Sequence, residues 1–288
     1  MIQITPDNLK KIIDIHYNNL YKKVDKEFPC FSIYSLEEII KAEPKKLAEI
    51  ANWFLTLSLT EKEQFKYITN LYKNFTTKKV KYDAYDLAQS LNVNVCPYCN
   101  RNYTFTIKNK HAKSTRPDFD HFYDKDTYPI LALSFYNLIP SCMLCNSRLK
   151  GTTPFSLETH LHPYQESFND YAKFKLNIEN SSFYYDEKGF DIELKTSDKR
   201  AENIKEAFAL EVLYNEHKDI VLELIQKAEI YNDSYIDELM QKYEGTLFKN
   251  REDLLRLVTC GYVSDKDLHK RPLSKLIKDI SEELKLLV

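Results

Sequence analysis

The sequence predicts a mainly α-helical protein with a small amount of β-structure, an α+β chain overall. Only four of the 288 residues are glycine and 29% are charged, which is typical of helical proteins with few loops. Hydrophobic residues make up 43%, so the composition excludes a disordered chain. Apolar residues recur at helical spacing over residues 1–90 and again from about residue 197.

The N-terminal region, residues 1–90, is predicted to contain several helices. The tripeptide Thr5-Pro6-Asp7 is a helix start signal, because a capping residue precedes proline and an acidic residue. Pro44 is expected to begin the helix that carries the only tryptophan, Trp53. Two capping-box patterns predict further helix starts: Ser35 with Glu38, and Thr60 with Glu63.

The C-terminal region, residues 166–288, is predicted to be a β-hairpin followed by helices. Apolar and polar residues alternate from Phe174 to Lys195 around the turn Asp186-Glu187-Lys188-Gly189. Helical patterns follow near residues 199–214, 216–231, 234–244, 251–258 and 272–287. The chain has no repeat and no flexible linker, so residues 1–90, 91–165 and 166–288 are expected to pack as one body.

The charge is unevenly distributed along the chain. The net charge is −2, which argues against a protein covered in positive charge for binding nucleic acid. Residues 91–155 nevertheless contain eight Lys and Arg against four Asp, a local +4, which leaves −6 for the remainder. There is no apolar stretch for a signal peptide or a membrane span, and we expect a cytoplasmic protein that does not enter membranes.

Four of the six cysteines form two Cys-x-x-Cys pairs, and the pattern predicts a structural zinc site. Four thiolates complete the tetrahedral coordination of Zn²⁺ and leave no open position for a substrate. Two disulfides or four core thiols are the alternatives, and a reducing compartment disfavours the disulfides. Cys30 and Cys260 are expected to be ordinary buried cysteines. The predicted ligands are Cys96, Cys99, Cys142 and Cys145.

Between the two cysteine pairs lie the residues that suggest catalysis. Asp120-His121 occupies a strand-like segment, and Asn137 opens a second apolar run. Residues 145–150 have the composition of a short helix that ends at Gly151 and includes Asn146. The order strand, loop, strand, helix is the layout of a ββα-metal finger.

These residues resemble the HNH endonuclease superfamily, in the version with a four-cysteine zinc site. The string DHFYDKDTYPILALSFYNLIPSCMLCNSRLKG is similar to the branch that includes the nuclease subunit of Septu-type anti-phage systems and retron-associated nucleases. The resemblance covers roughly residues 90–165 and extends loosely to Leu213–His217. It implies hydrolysis of phosphodiester bonds, with DNA favoured, in anti-phage defence. An ABC-type or SMC-like ATPase would be the partner.

The resemblance assigns a role to each residue of the finger. His121 matches the general base, and the intrinsic pKa of histidine suits that role near neutral pH. Asp120 and Asn146 match the ligands of a catalytic divalent cation, Mg²⁺ or Mn²⁺, for which oxygen ligands are suitable. Asn137 matches the middle asparagine, which braces the loop so that His121 faces the phosphate. Many relatives carry histidine at the last position, so this site is an H-N-N variant.

Basic residues in and near the finger are candidates for phosphate contacts: Arg101, Arg148 and Lys150. His160 and His162 either help to bind metal or phosphate or pack in a loop. Asp124 and Asp126 are interpreted as a turn, because the superfamily motif uses one metal.

Two alternative functions remain open from the sequence. One is a zinc-stapled nucleic-acid-binding module whose HNH site is inert. The other is an HNH nuclease that cleaves RNA, for instance tRNA, because a site that contacts the phosphate backbone takes its specificity from surrounding elements.

Overall fold

The computed structural model describes residues 2–77, 81–109 and 113–287. Within these ranges the chain is mainly helical and has two short antiparallel sheets, which confirms the predicted fold class. No helix among the described residues is long and apolar enough to cross a membrane. Two compact units are present. The N-terminal unit comprises Gln3–Pro97 and Thr104–Glu166, and the C-terminal unit comprises Tyr98–Tyr103 and the described part of Ser167–Val288, with Ile2.

The N-terminal unit begins with short helices. Two predicted starts are confirmed, because Ser35 and Glu38 form a reciprocal capping box and Pro44 is the first residue of its helix. The helices are α1 (Leu9–Val24), α2 (Leu36–Lys41), α3 (Pro44–Thr56), α4 (Leu59–Glu63), α5 (Lys66–Thr76) and α6 (Ala84–Leu91).

Two other predicted helix starts are wrong. Helix α1 begins at Leu9, after Asn8 in the left-handed conformation (φ 60°), so Thr5-Pro6-Asp7 precedes the helix. Helix α4 is capped by Ser58 with Glu61, and Thr60 already lies inside it. Both patterns satisfy the spacing rule, and the extended backbone of Ser58 decides between them.

Aromatic side chains form much of the core around these helices. Phe65 is fully buried and makes edge-to-face contacts with Phe28, Phe31, Trp53 and Phe54. Such contacts contribute about 0.5–1.5 kcal/mol each beyond the burial of area. The cluster holds α3, the start of α5 and the segment before α2 together.

The predicted order of strand, loop, strand and helix is confirmed in the finger. Strand β1 (Asp118–His121) pairs antiparallel with β2 (Leu138–Ser141), with His121 opposite Leu138. The helix that follows, Leu144–Lys150, is a π-helix, and we call it the finger helix. It ends at Gly151, whose positive φ of 51° favours glycine.

The C-terminal unit contains the predicted hairpin, β3 (Ala172–Ile178) with β4 (Phe190–Thr196). The connection is longer than the turn expected at Asp186–Gly189, because residues 179–189 form two 3₁₀ turns. The helix predicted over 199–214 is broken at Ala209, which has a φ of 46°. The helices are α7 (Lys199–Ala207), α8 (Leu210–Asn215), α9 (Lys218–Ile230), α10 (Asp233–Tyr243), α11 (Arg251–Thr259) and α12 (Ser274–Glu283).

Helix side chains satisfy both edges of the β3–β4 sheet. On the β4 edge, Asn215 exchanges hydrogen bonds with the Ile192 backbone amide and carbonyl at 2.9 and 2.8 Å. On the β3 edge, the Phe174 amide donates to the Asp279 carboxylate at 2.9 Å. A two-stranded sheet is marginal alone, so these contacts with α8 and α12 replace missing neighbouring strands.

The carboxylate of Asp279 also belongs to a buried ion pair. Lys275 is 1% exposed, and its ammonium lies 2.8 Å from Asp279 and 2.8 Å from the Asn169 side-chain oxygen. Burial lowers the pKa of Lys275, and the Asp279 charge opposes that shift. The pair therefore tolerates the low-dielectric interior only while both partners are present.

We predict that Lys275→Met lowers the free energy of unfolding by about 3–5 kcal/mol, because it leaves a buried carboxylate without its cation. Urea denaturation followed by circular dichroism measures the change. The control is Lys195→Met, which removes a solvent-exposed pair with Glu193 and should leave the midpoint unchanged. A Lys275→Met protein as stable as the control would contradict the structural importance of the pair.

Candidate active site and metal centre

The four cysteines of the two Cys-x-x-Cys pairs come together in the structure. Their sulphur atoms all lie within 4.8 Å of one another, and none is in a disulfide. Tetrahedral zinc, with Zn–S bonds of about 2.3 Å, separates sulphur atoms by about 3.8 Å, so the cluster fits this ion. Cys96, Cys99 and Cys145 are buried, and Cys142 is partly exposed. The four cysteines can therefore hold a zinc ion.

A backbone amide donates a hydrogen bond to the sulphur of Cys99. The Arg101 amide lies 3.4 Å from the Cys99 sulphur and donates to it. Hydrogen bonds to the charged form of a thiol favour that form, which is the one that binds metal. The other two cysteines, Cys30 and Cys260, are exposed, so the prediction that they are buried is wrong.

His121 ends strand β1 and is almost completely buried. Its Nε2 atom lies 3.0 Å from the Ala132 carbonyl oxygen, and its ring packs edge-on against Tyr72 with centroids 4.5 Å apart. A carbonyl oxygen can only accept, so Nε2 carries the proton and Nδ1 keeps a free electron pair. Burial lowers the pKa of His121 from 6.5 to about 4, although the bond to Ala132 and the charge of Asp120 oppose the shift. The imidazole is therefore neutral at pH 7 and can accept a proton at Nδ1.

Asn137 uses its whole amide group to hold the loop between β1 and β2. Its side-chain oxygen accepts from the Tyr123 amide at 2.7 Å, and its nitrogen donates to the carbonyls of Tyr123 and Leu131, both at 3.0 Å. The residue is completely buried. Asn137 thus connects the residues just after His121 to the turn that contains Ala132.

Asp120 lies in a buried ion pair with Lys150. The Lys150 ammonium is 2.9 Å from both carboxylate oxygens and also donates to the His121 carbonyl oxygen. Both residues are 4% exposed. The sequence suggested Lys150 as a phosphate contact, but the structure directs its ammonium inward, to the backbone and the carboxylate beside His121.

The other two candidate residues of the finger helix lie closer to solvent. Asn146 is partly exposed, with its side-chain nitrogen 3.4 Å from the Ser147 hydroxyl. Arg148 is exposed. The finger helix packs against β1, the strand that carries Asp120 and His121. The donor set of the finger, a carboxylate and an amide oxygen, suits a hard divalent cation.

Arg101 lies in the C-terminal unit and is partly buried. Its Nε donates to Nε2 of His217 at 3.0 Å, and the charge of Arg101 adds to burial in lowering the pKa of His217. Tyr214 donates to the Cys99 carbonyl at 2.6 Å. The weak resemblance at Leu213–His217 therefore corresponds to residues that hold the Cys99–Arg101 turn.

His160 and His162 pack against aromatic rings. His160 stacks on Phe155 with centroids 3.6 Å apart, and His162 is fully buried against Phe122 at 4.4 Å. Among the described residues, neither belongs to a group of three or more potential metal ligands.

Comparison with known proteins finds a partial relative. A segment of 104 residues is 32% identical to the Septu protein PtuB of Bacillus thuringiensis, and it covers 36% of this chain. The match spans about a third of that relative, 34% of its length. No protein-family model matches the sequence, and no solved structure matches it. The similarity to a Septu protein is thus found for part of the chain, and the HNH type stays a prediction.

We predict that Cys142→Ser abolishes zinc binding and reduces solubility, because a three-thiolate site no longer completes the tetrahedron. Zinc per chain is measured by mass spectrometry of the purified protein. Cys260→Ser changes an exposed cysteine outside the cluster and should retain wild-type zinc. One zinc per chain in soluble Cys142→Ser would disprove the assignment.

We also predict that the protein loses stability as the pH falls below about 6.5. Burial lowers the pKa of His16 from 6.5 to about 4 and that of His162 to about 3. Between these values and 6.5 the unfolded chain binds more protons, so stability decreases as the pH falls. Each histidine is expected to lower the free energy of unfolding by about 2 kcal/mol between pH 7.5 and pH 5. Urea midpoints at pH 7.5, 6 and 5 measure the trend, and a flat profile would contradict it.

Proposed function

We propose that this protein is an HNH-type, metal-dependent endonuclease that hydrolyses phosphodiester bonds, with DNA as the favoured substrate. The observation that carries the proposal is the state of His121. Its Nε2–H is bonded to the Ala132 carbonyl, so the unprotonated Nδ1 is the ring nitrogen that can accept a proton. A neutral imidazole held in one tautomer is suited to general-base catalysis.

In the proposed reaction, Nδ1 of His121 removes a proton from the water that attacks the phosphorus atom. The bond between phosphorus and the leaving oxygen then breaks, and the leaving oxygen takes a proton from solvent. The Ala132 carbonyl keeps the proton on Nε2 and stabilises the imidazolium that forms. Asn137 holds the turn that carries this carbonyl and the chain just after His121. Proximity and orientation of this kind can contribute several kcal/mol to the lowering of the barrier.

Asp120 and Asn146 are the residues we propose as ligands of a divalent cation. When bound, Mg²⁺ or Mn²⁺ would supply positive charge for the phosphate oxygens and the leaving oxygen. Two protein ligands suit Mg²⁺, which keeps several waters and substrate oxygens in its octahedron. The Lys150 ammonium contacts both Asp120 oxygens, so Lys150 and a cation compete for this carboxylate.

Phosphate contact is proposed for Arg148, which is exposed on the finger helix. For Arg101 and Lys150 the role stays a prediction, because each already has a partner within the protein. We propose that residues around the finger decide between DNA and RNA, since the phosphate group that the finger would contact is the same in both nucleic acids.

The biological role that we propose is the nuclease component of an anti-phage defence system. The 32% identity over 104 residues to a Septu protein supports this role. The resemblance of the finger to Septu-type and retron-associated nucleases supports it as well, and implies an ABC-type or SMC-like ATPase as partner. A net charge of −2 gives little general affinity for nucleic acid, which favours dependence on such a partner.

We predict that His121→Ala lowers the rate of cleavage by at least about 100-fold, because the general base is lost. Plasmid, single-stranded DNA and total RNA are incubated with the purified protein and Mg²⁺ or Mn²⁺, and with EDTA. Asp120→Asn should also inactivate the enzyme. The matched control for Asp120→Asn is Asp126→Asn, whose carboxylate is exposed and lies in the loop that follows β1.

Cleavage that persists in EDTA, or in His121→Ala, would refute the mechanism. Cleavage of RNA but not of DNA would favour the alternative in which the HNH nuclease acts on RNA. A protein that shows no cleavage by itself is tested again after co-expression with the ATPase partner. If it still shows no cleavage although zinc is bound, the alternative of an inert nucleic-acid-binding module is favoured.

A further inference from the structure

A turn beside His121 holds three buried side chains at three successive carbonyl groups. We call Leu131–Leu133 the acceptor turn. Its first carbonyl accepts from Asn137 at 3.0 Å, its second from His121 at 3.0 Å, and its third from Nε2 of His16 at 2.9 Å. The first two donors belong to the finger, and the third is carried by helix α1.

His16 is bonded at both ring nitrogens. Its Nδ1 lies 3.1 Å from the Tyr82 hydroxyl, and its Nε2 faces the carbonyl of Leu133. Since a carbonyl only accepts, His16 carries its proton on Nε2 and accepts from Tyr82 at Nδ1. The ring is fully buried, with Phe75 and Phe135 edge-on at 5.8 Å.

The contact of His16 constrains the carbonyl that holds His121. Each peptide unit is planar, so the Ala132 carbonyl can swing only if the dihedrals on either side of its plane change. Such a change moves the neighbouring carbonyls of the acceptor turn, and these are tied to Asn137 on one side and to His16 on the other. The direction of the Ala132 carbonyl is therefore set from both sides.

A role in core packing alone does not explain this arrangement. An apolar side chain could fill the same aromatic pocket, but it would leave the buried Leu133 carbonyl and Tyr82 hydroxyl without the hydrogen bonds that His16 makes. Both nitrogen atoms of His16 are instead satisfied, and one of them is aimed at the turn that orients His121.

We propose that His16 is a positioning residue for His121, acting through the acceptor turn to keep the Ala132 carbonyl aligned with Nε2. The inference rests on the proposed function, in which His121 is the general base. It makes the N-terminal helix α1 part of the active-site scaffold. His16 itself does not touch substrate.

Three variants separate positioning from packing. His16→Leu keeps an apolar group in the pocket and removes the donor to Leu133. His16→Gln retains an amide that can donate to the same carbonyl. Tyr82→Phe is the matched control, because it removes the other hydrogen bond of the same ring and leaves the Leu133 contact in place.

The first measurement is ¹⁵N NMR of histidine-labelled full-length protein, which distinguishes the two tautomers of the His121 ring. We expect the Nε2–H tautomer in the wild type, in His16→Gln and in Tyr82→Phe. In His16→Leu the chemical shifts of the two ring nitrogens of His121 should average, because the two tautomers exchange.

The second measurement is steady-state cleavage. We expect His16→Leu to lower kcat by about 10- to 100-fold with KM within about two-fold, since a misplacement of about 1 Å can cost about 100-fold in rate. His16→Gln and Tyr82→Phe should stay within about five-fold of the wild type, because the geometry at Leu133 is kept.

A folded His16→Leu protein with wild-type His121 signals and kcat would overturn the inference, as would equal losses in His16→Leu and Tyr82→Phe. If His16→Leu does not fold, the wild-type NMR spectrum tests the inference instead. A proton on Nδ1 of His16 would exclude the hydrogen bond from Nε2 to Leu133 and would overturn the inference. The NMR result does not require activity. A wild-type protein without nuclease activity even when co-expressed with its ATPase partner would therefore refute the proposed function, and the tautomer measurement would still test the positioning.

Discussion

The hydrogen bonds to the carbonyls of Leu131, Ala132 and Leu133 are the constraint on which the finger depends. Buried carbonyl groups must be satisfied, and here a side chain donates to each of the three, with the Ser134 backbone amide as a second donor to Leu131. The donors are Asn137, which follows the loop, His121, which ends strand β1, and His16, which lies in helix α1. The helices of the N-terminal unit therefore do more than surround the finger, because a residue near the start of the chain contacts the turn that orients His121.

Charge inside the finger is governed by burial. Asp120 is 4% exposed, and a carboxylate in such surroundings needs a cation or several donors. Lys150 supplies the cation in this structure, from the last residue of the finger helix. The helix has the wider turn of a π-helix, so the direction of its last side chain differs from what α-helical spacing would suggest. Lys150 therefore contacts both oxygens of the Asp120 carboxylate.

In the C-terminal unit, helix side chains stabilise a two-stranded sheet and one turn. Side chains of α8 and α12 bind the open edges of β4 and β3. The same helices hold the turn that follows Cys96. The Asn100 side chain accepts from the Lys275 amide at the start of α12, and Tyr214 of α8 donates to the Cys99 carbonyl. The geometry of this cysteine pair is thus set by contacts far away in sequence.

By itself, the sequence determined the features that depend on neighbouring residues. The helical fold class follows from composition and spacing, and the helix start at Pro44 from local backbone preferences. The two Cys-x-x-Cys pairs predicted a cluster because each pair brings its thiols within one turn. Local rules failed where two patterns competed, as at Ser58 and Thr60. Only the tertiary structure decided that Lys150 turns inward to Asp120 and that His16 reaches Leu133. Hydrogen bonds between distant residues leave no periodic signal in a single sequence, because their partners become neighbours only after the chain has packed.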